Sequence, residues 1–127
     1  MITEDYVSFN TAKLLKEKGF DWEVLNYFNA GTRLSTTRIA RNWNRVEVFH
    51  SAPTLQMAMK WLREVHKLQV SPRYDEVEDE KERLHYVWFF DILSMSPYKM
   101  LSESEHGYNT YEEACEVAIK YCLENLI

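Results

Sequence analysis

Leu84-His85-Tyr86-Val87-Trp88-Phe89-Phe90-Asp91-Ile92-Leu93 is the stretch on which the fold turns. It is a nearly continuous run of β-forming apolar and aromatic residues. Its length suits a strand, and such a run predicts a central strand covered on much of both faces. Working outward, the acidic run at 75–83 predicts a solvated turn into this strand. Val70–Tyr74 before it reads as an edge strand, because Pro72 cannot donate to a central ladder. Ser96 and Pro97 end the run, and Tyr98–Leu101 reads as a short partner strand. Residues 102–109 then form a polar loop.

Three helices flank these strands. In residues 8–18, Phe9, Ala12 and Leu15 share one face, with Ser8 as N-cap. Gly19 supplies the left-handed C′ position, with Phe20 folding back on Leu15. Lys16 and Lys18 read as a solvated, basic helix end. The second helix follows Thr54, with Leu55, Ala58, Met59, Leu62 and Val65 as its stripe and Trp61 and Leu68 widening it. The third opens on the capping box Thr110-Tyr111-Glu112-Glu113 and runs to about Leu126. Tyr111, Ala114, Cys115, Ala118, Tyr121 and Cys122 are its predicted inner face, and Glu113, Glu116, Lys120 and Glu124 its outer one.

Between the first two helices, Trp22–Phe28 reads as a strand and Asn29-Ala30-Gly31 as a turn. The polar segment 32–42 has no clear period and predicts a long hairpin loop or a mobile segment. Residues 43–49 return to alternation, with Val46 and Val48 on one face, and predict a strand pairing with 22–28. The order is α-β-β-α-β-β-β-α. Strands in series favour an antiparallel sheet of about four to five strands with three helices, in one α+β domain over 1–127.

Composition narrows function by exclusion. The 127 residues are 46% hydrophobic, 28% charged and 14% aromatic, which fits a single globular domain and not a disordered, collagenous or coiled-coil chain. With only three glycines, the chain has no GxGxxG or GxxxxGK[ST] phosphate cradle. There is no GxSxG elbow, CxxC or HExxH, and His50, His66, His85 and His106 have no second His or Cys at helical spacing. No metal or other cofactor is therefore expected. Asp91 is the one carboxylate inside an apolar β-run, and it reads more simply as a strand end than as a perturbed acid. Cys115 and Cys122 lie two helical turns apart, about 10 Å. That is beyond the roughly 4.4–6.8 Å that a disulfide spans, so they read as buried thiols in a reducing compartment. The opening MITEDYVSFN has acids where a secretory leader has a basic region. No stretch approaches 18 apolar residues, so a cytoplasmic protein without membrane attachment is expected.

Charge is segregated. The chain carries a net charge of -5, which disfavours binding of phosphate backbones by the whole surface. Residues 33–45 nevertheless hold Arg33, Arg38, Arg41 and Arg45 with no acid. The run 75–83 holds six acids against Lys81 and Arg83, and the tail 103–127 has six Glu against Lys120. Arg38, Arg41, Trp43 and Arg45 offer guanidinium donors and an aromatic ring, the types that phosphate contact and base stacking need. They are the candidate binding residues. The same arginines could serve as a solvated face, or dock on an acidic partner, including the acidic turn of a second copy. Tyr27, Phe28, Trp43, Phe49, Tyr86, Trp88, Phe89 and Tyr98 lie on predicted strands. One layer of helices cannot cover both faces of a sheet, so these rings form either a core or an exposed interface.

Three stretches, Met1–Asp21, Met57–Val70 and Tyr111–Ile127, together resemble a family of small uncharacterised proteins of prophages and mobile elements in gut Bacteroidetes. The resemblance covers about 50 helical positions. It implies a bacterial or phage origin, a cytoplasmic setting and an accessory role, and carries no catalytic residue with it. The sequence thus favours a non-enzymatic protein-interaction or accessory module, self-associating as a homodimer through an aromatic sheet face. A nucleic-acid-binding module using segment 33–45 is the alternative, and a small enzyme with a pocket between helices and sheet is the third reading.

Overall fold

The computed structural model describes residues 5–30 and 32–127. Residues 1–4 and Gly31, the last of the expected turn, lie outside them. The chain is α+β and runs α1 (Phe9–Glu17), β1 (Val24–Phe28), β2 (Leu34–Arg41), a 3₁₀ turn (Trp43–Arg45) and β3 (His50–Ser51). It continues through α2 (Leu55–His66), β4 (Leu68–Glu78), β5 (Leu84–Met95), β6 (Tyr98–Glu103) and α3 (Tyr111–Tyr121). Wider π-type turns carry α3 on through Cys122–Leu126. The strands form two antiparallel three-stranded sheets, β2-β1-β3 and β4-β5-β6. A single sheet of four to five strands was the expectation. Among the described residues no strand of β1–β3 pairs with one of β4–β6, and 43–49 does not form the strand expected beside β1.

The helix termini follow the sequence closely. Ser8, Thr54 and Thr110 each cap a helix through a side-chain oxygen that accepts a backbone N–H three residues on. Gly19 adopts φ +89°. The Phe20 N–H then reaches the Leu15 carbonyl at 2.9 Å and the Gly19 N–H reaches Lys16 at 3.2 Å, a complete Schellman end. One core joins the elements: Leu15, Phe20, Trp61 and Leu62 meet Val70, Phe90 and Ile92 and the α3 side chains Cys115, Ala118, Ile119 and Leu123. Helices α2 and α3 pack on the second sheet, while α1 packs on β3. Trp61 stands edge-on to Phe20 at 5.4 Å.

Several local expectations are corrected. Segment 32–42 is largely strand: β2 pairs with β1 as an edge strand. Four residues, Thr37–Ala40, bulge opposite the single residue Leu25, which hides the alternation in sequence. Segment 43–49 is a 3₁₀ turn followed by irregular chain, and Val46 and Val48 are exposed. Side chains replace the missing ladder there. The Asn44 amide donates to the Phe20 carbonyl, and its oxygen accepts from the Ser51 N–H. Lys16 is no solvated helix end: its ammonium donates to the carbonyls of Val46, Glu47 and Phe49 at 2.9, 2.8 and 2.7 Å. Lys18 likewise reaches the Ile127 oxygen at 3.0 Å. Glu116 turns toward α1 rather than water and accepts from the Ser8 N–H and, at 2.6 Å, from the Thr11 hydroxyl. Val65 and Tyr121 face outward, while Trp61 and Ile119 take the inner positions.

Substituting Lys16 by Met keeps the aliphatic stem and removes all three bonds to the 46–49 turn. Given the worth of hydrogen bonds to charged groups, urea denaturation is expected to show a loss of about 1–2 kcal/mol. Backbone amides of the turn should lose protection first. Unchanged stability with unchanged exchange would show that the turn holds itself.

Candidate interaction surface

The second sheet is longer than the helices that cover it. In the antiparallel register Val70 faces Ile92, Pro72 faces Phe90, Tyr74 faces Trp88, Glu76 faces Tyr86 and Glu78 faces Leu84. Opposed residues share a face and strand side chains alternate, so these ten residues line one side of the β4–β5 ribbon. At one end that side is core: Val70, Phe90 and Ile92 are buried. At the middle Trp88 stands edge-on to Tyr111 at the start of α3, 5.1 Å away. Beyond it the helices stop and the face continues into solvent. Tyr74, Tyr86 and Leu84 are each 57% exposed. The rings of Tyr74 and Tyr86 stack at 5.9 Å and 14°, and Tyr74 also lies 5.0 Å from Trp88. Expected as a buried strand on much of both faces, β5 is thus buried only toward its C-terminal half.

The projecting half is held in shape by polar contacts. The turn expected at 75–83 is shorter than that: 75–78 belong to β4, and the reversal falls at 79–83. Asp79 ties it. One carboxylate oxygen accepts the Lys81 and Arg83 N–H groups at 2.8 and 2.9 Å. The other meets His85 Nε2 at 2.8 Å and Arg83 Nε at 3.1 Å. The His85 contact, then the Arg83 N–H, holds the Asp79 carboxyl at about 2, below its ordinary 3.8. On the opposite face Arg73 lies over the Phe89 ring at 4.7 Å and pairs with Asp91 at 3.5 Å, so Asp91 is a bridging carboxylate there. The loop after β6 closes the β5 edge, with Trp88 and Tyr108 exchanging two backbone hydrogen bonds. Gly107 in that loop lies so close that a Cβ would fall 2.4 Å from Val87 Cγ2.

The arginine segment forms a different surface. Arg38 and Arg41 are exposed on β2, and Arg45 is exposed in the 3₁₀ turn. Arg41, Trp43 and Arg45 line a cleft of about 620 Å³, and Arg38 does not. Asp21 and Glu23 line the same cleft, so its charge is mixed. Trp43 is committed to the fold: its indole N–H donates to the Val24 carbonyl at 2.8 Å. Its ring packs on Tyr27 at 4.6 Å, and Tyr27 on Phe49 at 4.4 Å. A ring so engaged has little free face for a nucleobase.

Elsewhere, a shallow cleft of about 490 Å³ is lined by Asp5, Glu112, Glu113 and Glu116 beside Ser8. An apolar cleft of about 450 Å³ between Trp22, Met57 and their neighbours has Tyr6 and Lys60 as its titratable lining. Cys115 and Cys122 are buried, and burial pushes their thiols up to about 11 and about 12, far from a reactive thiolate. Among the described residues no three His, Cys, Asp or Glu side chains gather as a metal site, and no helix is long and apolar enough to cross a membrane. No protein-family model, curated protein or solved structure matches the chain.

Tyr74 and Leu84 are the surface residues that sequence reasoning passed over. Their signal lay in the pairing register, which places Tyr74 beside Trp88, and not in local composition.

Two measurements test how the projecting half is held. Because folding depresses the Asp79 pKa, the carboxylate supports the turn fully above pH 4 or so and loses that support as pH falls through about 2. An Asp79→Ala variant should therefore exchange its Lys81 and Arg83 amides about tenfold faster than wild type at pH 7. The two proteins should converge near pH 2, whereas equal rates at pH 7 would remove the carboxylate from the turn. Gly107→Ala should cost about 1–3 kcal/mol by overpacking against the stiff Val87. A neutral result in thermal unfolding would show that the loop can back away.

Proposed function

We propose that this chain is a non-enzymatic protein-binding module whose contact surface is the projecting half of the β4–β5 ribbon, with Tyr74, Tyr86 and Leu84 at its centre. One observation carries the reading. The face that forms the core at Val70, Phe90 and Ile92 continues uncovered into three large side chains, each 57% exposed. Contiguous apolar surface of this kind on a folded domain marks a contact site, and tyrosine is among the residues enriched at binding hot spots. Glu76 and Glu78 flank the rings on the same face and give it an acidic rim. That rim suits a protein partner with basic character and repels phosphate. The alternative, nucleic acid held by Arg38, Arg41, Trp43 and Arg45, is weakened by the acids in the cleft and by the engaged indole. In the mobile-element setting that the sequence resemblance implies, the module would serve as a cytoplasmic accessory protein.

A photo-crosslinking residue placed at Tyr86 tests this in the native host. A discrete protein adduct is expected there, and none from the same residue placed at Lys60. Loss of Tyr74 as Tyr74→Ser should weaken adduct formation about tenfold or more, as hot-spot truncations do. No adduct at Tyr86, or an adduct to nucleic acid alone, would overturn the reading.

A further inference from the structure

We propose that the partner is a second copy of this chain. In a two-fold exchange, the ribbon of each copy docks on the surface the other forms from β2 and residues 45–48. The inference rests on the reading of the ribbon as a contact surface and adds the identity of what covers it.

The two surfaces complement each other in both apolar and charged character. The ribbon presents Tyr74, Tyr86 and Leu84 with Glu76 and Glu78 alongside. The other surface presents Ile39, Val46 and Val48, which are 62%, 41% and 51% exposed. Arg38, Arg41 and Arg45 lie among them in sequence, all exposed, with Glu47 the one acid in 33–48 and with Asp21 and Glu23 lining the cleft that Arg41 and Arg45 share. Among the described residues none of these three arginines, and neither Glu76 nor Glu78, belongs to an ion pair within the chain. Each set thus keeps its charge available for another molecule. The net charge of -5 per copy opposes association only weakly, because exposed charges farther apart than about 8 Å are largely screened at physiological salt. Local opposite charges set the orientation.

Exchange also solves a closure problem. A one-way contact between two unlike patches grows into an open chain, whereas a reciprocal pair closes at two copies. It doubles the buried surface as well. Each ribbon then needs to supply only about 400 Å² of the about 800 Å² per partner found in a standard interface. Pro72 in the edge strand β4, and the bulge that bends the edge strand β2 where it pairs with β1, disfavour simple edge-to-edge pairing. Contact between side-chain faces is the remaining geometry.

Light scattering during size-exclusion tests this. At about 100 µM in about 50 mM salt the chain should run at twice its own mass, and in about 1 M salt as a monomer. Arg38→Glu with Arg41→Glu should give a monomer, and so should Glu76→Arg with Glu78→Arg. An equal mixture of the two charge-reversed proteins should restore the dimer. All four side chains are exposed, so circular dichroism should match wild type, and melting curves should match it in about 1 M salt, where wild type is a monomer too. A wild-type monomer at low salt, an open series of larger species, a dimer that survives either reversal, or a mixture that stays monomeric would each overturn the proposal. Failure here is separable from failure of the binding reading. A monomer whose Tyr86 adduct contains a different protein overturns the second copy alone, and a monomer with no adduct overturns both.

Discussion

The mismatch between strand rise and helix rise shapes this molecule more than any single contact. Twelve residues of β5 extend about 40 Å, while eleven residues of α3 cover about 16 Å. The π-type turns add only a few ångströms more. A ribbon built from β4 and β5 must therefore overrun the helical layer. The overrun is not an unstructured tail, because the ladder pairs without interruption from Leu68–Ser94 to Glu78–Leu84. Backbone pairing carries the strand past the point where burial stops. Its inward-facing side chains consequently emerge into solvent as an ordered row.

Elsewhere, polar side chains do the work that regular structure does not. The 42–54 segment contributes a 3₁₀ turn and a two-residue strand, yet it covers the first sheet. Lys16 gathers three of its carbonyls, and Asn44 spans from Phe20 to Ser51. Glu116 performs a similar task across the molecule, joining α3 to the N-terminus of α1, where free N–H groups and the helix dipole favour a carboxylate. The segment also has a cost. Asn26 Oδ1, His50 Nδ1 and Ser51 Oγ are buried around β1 and β3 with no hydrogen-bond partner among the described residues. Burial, and then the nearby Lys16 and Lys13, lower the His50 pKa and favour its neutral form there.

What was legible in the sequence follows from this division. Helix starts and the Gly19 stop could be read because caps are local chemistry: Ser8, Thr54 and Thr110 each act on an N–H three residues away. The central position of β5 and the edge position of β4 could be read from apolar content and Pro72. Segment 32–49 could not. The Thr37–Ala40 bulge breaks the period-2 pattern of a real strand, while Val46 and Val48 imitate the pattern in a segment that Lys16 holds as a turn. Long-range polar contacts leave no periodic trace. The same limit applies to the candidate surface. The aromatic surplus was visible, but whether Tyr86 and Trp88 were core or interface depended on where α3 ends relative to β5. Among the candidate arginine-segment residues, Trp43 looked available for stacking because its bond to Val24 lies nineteen residues back in the chain.

The acids on the ribbon serve two physical ends that coincide. An exposed edge strand beside uncovered aromatic rings is a template for indiscriminate strand pairing. On β4 that hazard is met by Pro72, which removes a donor, and by Asp75, Glu76 and Glu78, which make like ribbons repel. Repulsion between two ribbons does not exclude a partner of opposite sign; it selects for one. The charges that keep the row of rings from aggregating therefore also restrict what can cover it, and segment 33–48, with four arginines against Glu47 and exposed Ile39, Val46 and Val48 among them, is of opposite sign.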